Sequence, residues 1–371
     1  MAGIRMAVIM AGGVGERFWP LSRRARPKQL LRLTSPTQSL LGEAVARLRP
    51  LISAEHIFIL TGRHLVPAIR DAGLGIPAAN VVGEPCKRNT AGCLVYAAAT
   101  ALAVSGRDAA DLTMAVVTAD HQIGEHDRFR TTLAAALDAA ERDAALVTVG
   151  IRPGRPATGY GYIEMPAGAE PTPGSSAESP VYPVARFLEK PDPATAEQFM
   201  TDGRHLWNSG MFFWRVSSFI AELEHASPAH AAAVETVRRA LAAGDQTSAD
   251  RAFAALPDIS IDYALMEHAR RILVVPGVFP WEDLGAWDGL DRTFDHDANG
   301  NIAIGDPVLV DSRNCIVYNE PGAPRMAVGV VGLADLVVVT TADAVVVVPK
   351  HRAQDVRAVV AELQRRGASQ V

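Results

Sequence analysis

A chain of 371 residues, 49% hydrophobic and 21% charged, has the composition of an ordinary globular protein, long enough for one large α/β domain and a smaller partner. Its net charge of -5 argues against the basic surface that nucleic acid requires, so no nucleic-acid partner is expected. Met6–Met10 runs into glycines too early for a signal peptide, and the most apolar run near the C-terminus is cut by Asp335, Thr340, Thr341 and Asp343, so no membrane contact and a cytoplasmic location are expected.

In chain order, Met6–Met10 reads as a buried strand that enters a glycine loop at Ala11–Gly15. Ile57–Leu60, Leu112–Val117 and Leu146–Gly150 have the same short apolar character, and the alanine-rich segment Ala91–Ala103 reads as a helix among them. Strands alternating with helices predict a mostly parallel sheet covered on both faces. Residues 164–180, dense in Pro, Gly, Ser and Glu, predict an exposed loop without a core. Strand-like sequence resumes at Val181–Leu188, helices are expected over 217–255 with a break at Gly244, and Ile272–Val275 reads as a further strand. After Phe294, a turn-rich stretch of Asp295, Asp297, Asn299, Gly300 and Asn301 gives way to β-branched runs at 308–310, 316–318, 328–331, 336–341 and 345–348. Val356, Val359, Val360 and Leu363 share one face at helical spacing and predict a last helix. The division expected is 1–294 and a small β-rich C-terminal domain over 295–371.

Cys86, Cys93 and Cys315 form no CxxC pair, which suits reduced thiols. Of the 36 basic residues only Lys28, Lys87, Lys190 and Lys350 are lysines. In a chain that uses arginine so heavily, each lysine marks a candidate position for a compact ammonium.

The segment Ala11-Gly12-Gly13-Val14-Gly15-Glu16-Arg17 follows a strand, where backbone N–H groups can cradle phosphate oxygens. It is neither of two common phosphate loops. Counting from Gly13, a dinucleotide fingerprint would want glycine where Phe18 stands, and the chain has no Walker sequence. Pro20 and Pro27 keep the loop from passing directly into a helix. Arg17, Arg23, Arg24, Arg26 and Lys28 lie along it, a set of cations suited to a polyphosphate.

The run from Ala11 to Gln29, Ala-Gly-Gly-Val-Gly-Glu-Arg-Phe-Trp-Pro-Leu-Ser-Arg-Arg-Ala-Arg-Pro-Lys-Gln, closely resembles the signature of the mannose-1-phosphate guanylyltransferases within the wider sugar-nucleotide pyrophosphorylase family. Glu84–Thr90, Thr118–Ile123, Thr158–Ile163, Phe187–Pro191, Trp207–Phe212, Ser260–Glu267 and Trp281–Trp287 follow in the family's order, and Gly332–Val339 is similar to its C-terminal domain. The resemblance covers nearly the whole chain. Two departures stand out: the polar loop at 164–180 is longer than the family needs, and Ala91-Gly92-Cys93 lies where a proline is expected. The chain stops at 371, so the isomerase domain of longer bifunctional members is not expected.

The resemblance implies an α/β enzyme with a Rossmann-like, mostly parallel nucleotidyltransferase domain and a β-rich C-terminal domain. It implies transfer of GMP from GTP to mannose 1-phosphate, with Mg²⁺ as cofactor and a homodimer as the possible assembly. The nucleophile of that reaction is already an anion, so alignment and charge neutralisation are needed rather than a general base. Carried onto this sequence, Asp120 and Asp283 would hold the metal, although Asp120 as a helix cap and Asp283 as a turn residue are alternatives. Both follow strand-like segments and could reach the carboxyl edge of a parallel sheet. Arg17 would meet the departing pyrophosphate and Lys28 the reacting phosphates. Ala11, Gly12, Gly13 and Gly15 would line the nucleotide, and Glu84, Pro85, Asn89 and Thr90 would form the base segment, with Glu84 or a backbone carbonyl accepting from guanine. Glu189 would bind sugar hydroxyls and Lys190 the sugar phosphate. Gly161 would offer its backbone where a side chain would block the sugar, and Asn208 and Asp262 complete that set, although Asp262 as an N-terminal helix residue is an alternative. His121 reads as orienting or structural, and Trp207, Trp281 and Trp287 as packing residues. Rival readings are another base and sugar, glucose 1-phosphate with UTP or dTTP, and a catalytically silent regulatory subunit.

Overall fold

In the computed structural model, which describes residues 3–322 and 326–371, the apolar runs of the N-terminal three quarters assemble into one sheet. In chain order its strands are β1 (Ile4–Met10), β2 (Ile57–Gly62), β3 (Val81–Glu84) and β4 (Leu112–Thr118), followed, after a short β5 (Gln122–Ile123) that lies elsewhere, by β6 (Leu146–Ile151), β7 (Gly161–Glu164), β8 (Tyr182–Pro183), β9 (Arg186–Glu189), β10 (His205–Arg215) and β11 (Ile272–Gly277). The order is β3-β2-β1-β4-β10-β6-β11-β8, parallel from β3 to β4 and again between β6 and β11. Central strands of such a sheet are covered on both faces, which is why β1, β4 and β6 read as unbroken apolar runs.

β10 runs antiparallel between β4 and β6 and is absent from the sequence expectation, because Asn208, Ser209 and Gly210 interrupt its apolar sequence. The structure absorbs them as a register shift between Asn208 and Phe212, with Gly210 at φ 68°. β7 pairs with β10 and β9, adding a small antiparallel flap.

The predicted loop at 164–180 is largely exposed, as its composition suggests, but it is anchored. Glu164 ends β7, Ser179 is buried, the Thr172 N–H donates to the Val181 carbonyl at 2.7 Å, and Arg142 Nη1 donates to the Gly174 carbonyl at 3.0 Å. Turn-rich composition reports the lack of a repeating apolar pattern, not the reach of a neighbouring arginine.

The helix Asn89–Ser105 buries alanines around its whole circumference and packs on Pro228–Ala242. Gly244, at φ 71°, separates that helix from Gln246–Ala254. All of this belongs to one compact unit formed by the residues up to Ala11, Val45–Thr118 and Gly124–Pro280.

The second unit takes Gly12–Ala44, Ala119–Ile123 and the chain from Trp281 onward. β12 (Trp281–Glu282) pairs antiparallel with β5. β13 (Ile302–Ile304), β14 (Val308–Val310), β15 (Ile316–Asn319), β16 (Gly329–Val331), β17 (Leu336–Thr340) and β18 (Val345–Pro349) follow. β13, β15 and β17 stack in parallel, β14 pairs in parallel with β16, and β18 closes on β17 antiparallel. Their inward residues Ile316, Val337 and Val339 share a core with Phe18, Trp19, Leu21 and Leu31 of the glycine-loop segment. In the closing helix, Val356–Arg365, Val356 and Val360 are buried but Val359 is 41% exposed, so the apolar face is narrower than the predicted one. Among the described residues no helix is long and apolar enough to cross a membrane.

Phe253 is fully buried, 5.2 Å from the Tyr96 ring and edge-on to it. Phe253→Ala should therefore lower stability by about 3–5 kcal/mol, measured from urea unfolding; a change within error would show that the helical layer does not depend on this contact.

Candidate functional site

In the second unit, the chain after β1 becomes a loop with two short 3₁₀ turns, Glu16–Phe18 and Lys28–Leu30. Gly15 sits at φ 71°, and a Cβ built there would lie 2.3 Å from the Lys28 Cβ. Only glycine lets the two ends of the loop approach this closely. The Lys28 N–H donates to the Val14 carbonyl at 3.1 Å, and Ser22 Oγ donates to the Gly15 carbonyl at 2.6 Å. Gly12 and Gly13 are exposed, and no atom lies within 4 Å of a Cβ built on Gly13. In the first unit, Ala11 ends in a fixed position: its N–H donates to the Leu60 carbonyl and its carbonyl accepts from Thr61 Oγ1, each at 2.8 Å.

The Lys28 side chain is 6% exposed, and its ammonium donates to Asp120 Oδ2 and to the Asp283 carbonyl, each at 2.9 Å. Phe18 lies beneath it, its ring centroid 5.5 Å from Nζ. Burial alone would raise the Asp120 carboxyl, but the Lys28 ammonium and His121 outweigh it and hold it below the usual carboxylate range. Asp120 and Asp283 come together through the β5–β12 ribbon, whose register pairs Trp281 with Ile123 and Glu282 with Gln122. That ribbon brings the two aspartates to one lysine. Asp283 Oδ1 also accepts the Gly285 N–H at 3.1 Å, so the turn role and the pairing coexist. Arg17 Nη1 donates to the Gly285 carbonyl at 3.3 Å.

Two cations of the loop are engaged by carboxylates: Arg23 pairs with Asp343 and Arg26 with Glu320. Trp287 is fully buried and donates from Nε1 to the Trp19 carbonyl at 3.0 Å, a packing role. Trp281 donates from Nε1 to His121 Nδ1 at 3.1 Å, and the two rings meet edge-on at 5.1 Å.

In the first unit, Glu84 ends β3, Pro85 follows it, and Asn89 (φ 53°) opens the helix Asn89–Ser105. Burial pushes the Glu84 carboxyl up to about 7, with the Cys93 thiol as a hydrogen-bond partner, and Glu84 Oε1 has no hydrogen-bond partner. Thr90 Oγ1 accepts the Ile261 N–H at 2.8 Å, tying the 259–261 segment to the start of that helix.

The same unit gathers Gly161, Glu189, Lys190, Asn208 and Asp262. Gly161 faces Glu189 across the β7–β9 ladder, and a Cβ on Gly161 would lie 2.1 Å from Glu189 Oε1. A side chain here would force the Glu189 carboxylate to move from its present position. Asn208, at the β10 bulge, donates from Nδ2 to Asp262 Oδ1 at 2.8 Å and accepts the Gly210 N–H at 3.0 Å. Burial, and then the Asp262 charge, raise the Glu189 carboxyl, and burial raises Asp262 against the pull of Asn208. Burial works against the Lys190 charge, but Glu189, 3.3 Å away, outweighs it and lifts the ammonium above its usual value.

The Nucleotidyl transferase family profile matches residues 6–300. The chain belongs to the nucleotidyl transferase family. Residues 305–363 of this nucleotidyl transferase match a MannoseP isomerase/GMP-like beta-helix domain, in accord with the parallel pairing of β13 with β15 and β17 and of β14 with β16. Over 98% of its length it is 39% identical to the alginate biosynthesis protein AlgA of Pseudomonas aeruginosa, of which it covers 73%. It is 37% identical to a mannose-1-phosphate guanylyltransferase of Escherichia coli K12, over 97% of this chain and 73% of that one. A crystal structure described as mannose-1-phosphate geranyltransferase from Thermus thermophilus superposes with a TM-score of 0.84 at 37% identity, covering 97% of this chain and 99% of that chain.

Sequence reasoning missed Ser22, which braces Gly15, and Arg155, whose Nη2 donates to Tyr160 Oη at 2.9 Å while its guanidinium lies 5.3 Å from the Trp207 ring. Arg155 precedes the Gly-Tyr-Gly-Tyr motif by a few residues, and the aromatic spacing was the available signal.

The Glu84 carboxyl gives a pH test of this nucleotidyl transferase. A carboxyl raised in the folded state binds its proton more tightly there, so stability falls as pH climbs from the ordinary 4.5 through about 7. Glu84→Gln removes that loss. The variant should melt above the wild type at pH ~8 and should lose this advantage at pH ~5, read by thermal shift; equal differences at both values would show that Glu84 is not strained by ionisation.

Proposed function

We propose that this chain transfers GMP from GTP to α-D-mannose 1-phosphate, forming GDP-mannose and pyrophosphate in the cytoplasm. The observation that carries the reading is the Lys28 ammonium, held 2.9 Å from both Asp120 Oδ2 and the Asp283 carbonyl beside an open glycine loop. Cations and carboxylates so arranged serve charge neutralisation in phosphoryl chemistry. The names of the Escherichia coli relative and of other relatives along the whole chain support the choice of guanine and mannose.

Among the described residues no group of three or more His, Cys, Asp or Glu could cage a metal by itself. A pair of aspartates fits Mg²⁺, which takes one or two carboxylates and completes its shell with water and phosphate oxygens. Asp120, kept ionised and 39% exposed, and Asp283 would hold it. Bound there, Mg²⁺ would supply neutralisation of phosphate charge.

On the nucleotide side, Gly12, Gly13 and Gly15 offer a backbone surface to phosphate oxygens, Lys28 meets the reacting phosphates and Arg17 the departing pyrophosphate. Glu84, with its unpaired Oε1, accepts from guanine N1–H and N2–H₂. Pro85, Asn89 and Thr90 shape that segment. On the sugar side, Glu189 accepts from hydroxyls, Lys190 pairs with the phosphate, Gly161 presents its backbone, and Asp262 holds Asn208 toward the sugar. The mannose phosphate oxygen attacks the α-phosphorus without a base, since it is already anionic. A homodimer belongs to the same reading and is checked by light scattering.

Pyrophosphate release over a grid of the four nucleoside triphosphates and several sugar 1-phosphates tests the substrates. GTP with mannose 1-phosphate should give the highest kcat/KM; a preference for UTP or dTTP with glucose 1-phosphate would overturn it.

Asp120→Asn and Asp283→Asn should each lower turnover by about 10²-fold or more and weaken Mn²⁺ binding in titrations, with melting temperature little changed in Asp283→Asn and lowered in Asp120→Asn, which takes the carboxylate from the buried Lys28 ammonium. Lys28→Arg should also lower turnover strongly, because a guanidinium is wider than the ammonium it replaces. Near-normal turnover in any of the three would remove that residue from the assignment.

A further inference from the structure

Two arginines of the glycine-loop segment are directed toward carboxylates of the C-terminal coils of the same unit. Arg23 grips Asp343 with both ends of its guanidinium, Nη1 donating to Oδ2 at 2.7 Å and Nη2 to Oδ1. Asp343 is held in turn by Thr341 Oγ1 at 3.2 Å. Arg26 Nη1 donates to Glu320 Oε1 at 2.6 Å. Between them the backbone closes a tight turn, with the Arg23 N–H on the Arg26 carbonyl at 2.9 Å and the Arg26 N–H on the Arg23 carbonyl at 3.0 Å.

This turn lies between the two braces of the loop. Ser22, one residue before it, holds the Gly15 carbonyl, and Lys28, two residues after it, holds the Val14 carbonyl. Trp19 is fastened as well, donating from Nε1 to the Gln370 carbonyl at 2.8 Å. A bidentate arginine–carboxylate pair fixes orientation as well as distance. Half-exposed pairs of this kind add little to global stability, so their value here is positional.

We propose that Asp343 and Glu320 are positioning residues for the nucleotide: by clamping the Arg23–Arg26 turn, the C-terminal coils set where Lys28 and the glycine loop meet the triphosphate. The inference rests on the proposed role of that loop in GTP binding. It makes the β-rich module a working part of the nucleotide site rather than an appended domain.

The test is the double variant Asp343→Asn, Glu320→Gln, together with the charge exchange Arg23→Asp, Asp343→Arg. In the double variant the KM for GTP should rise about tenfold or more and kcat should fall, since small misplacements of reacting groups are costly. The KM for mannose 1-phosphate and the melting temperature should stay near wild type. Trypsin should cut after the exposed Arg24 faster than in wild type, and GTP should slow that cut in the wild type but not in the variant. The charge exchange should recover much of the GTP KM that Arg23→Asp alone loses. Unchanged GTP KM with unchanged tryptic resistance would overturn the clamp, and so would a charge exchange no better than its single parent. If the wild type turns over no sugar phosphate with any nucleotide, the proposed activity fails; the tryptic comparison with and without GTP then decides the clamp by itself.

Discussion

A buried ammonium needs a partner, and the geometry around Lys28 follows from meeting that need. Taking this charge out of water costs several kcal/mol unless it is paired. Asp120 and the Asp283 carbonyl supply the pairing, Gly15 makes room for the stem, and Val14 holds the backbone. The β5–β12 ribbon exists at the one register that delivers both aspartates. Lys350 shows the same chemistry used for architecture: its ammonium joins Asp291 at 2.7 Å to Asn314 at 2.6 Å. Lys190 sits on Glu189, while Lys87 is exposed. Three of the four scarce lysines, Lys28, Lys190 and Lys350, therefore mark places where a compact cation meets a protein oxygen.

Because the ammonium is anchored within the second unit, the signature segment has a double burden. Phe18, Trp19, Leu21 and Leu31 build the core shared with Ile316, Val337 and Val339, while Gly12 and Gly13 stay exposed. A substitution at Trp19 and one at Gly13 would both register as loss of the motif, yet the first removes packing and the second fills open space. The interleaving of Gly12–Ala44 with the chain after Trp281 accounts for so conspicuous a sequence forming no regular helix: its backbone follows the coils it packs on.

The parallel strands were legible because burial on both faces leaves an unbroken apolar run, as in β1 and β4. β10 was not, because its bulge residues Asn208 and Gly210 look like loop sequence until the register shift is seen. Gly161, Glu189, Asn208 and Asp262 were named through the family resemblance and not through spacing, since nothing local to Gly161 announces a carboxylate at 189. Arg23 and Arg26 were read as phosphate cations from their place in a basic glycine loop. Their partners lie some 300 positions away at Asp343 and Glu320, and a basic loop looks identical whether its charges face phosphate or carboxylate. Val359 failed for a smaller reason: heptad-like spacing does not fix how wide a strip the coils cover.

The cluster of Glu189, Lys190, Asn208 and Asp262 carries the opposite electrostatic state from the Lys28 cluster. Asp120 is stabilised as an anion, whereas Glu189 and Asp262 are both raised by burial, and the charge of Asp262 bears on Glu189. Lys190 offsets part of this, and Asn208 another part. What remains is a pair of under-satisfied carboxyl groups held by a ladder, a bulge and a glycine whose lack of a side chain leaves the Glu189 carboxylate its place. Such groups gain most from a neutral ligand face rich in hydroxyl donors, because each hydrogen bond stabilises an anion that the protein alone leaves strained. A bare anion would gain nothing from them, and must find its counter-charge at Lys190. A ligand with hydroxyls at one end and a phosphate at the other satisfies both demands at once: its hydroxyl donors meet the buried carboxyl groups, and its phosphate meets the exposed Lys190.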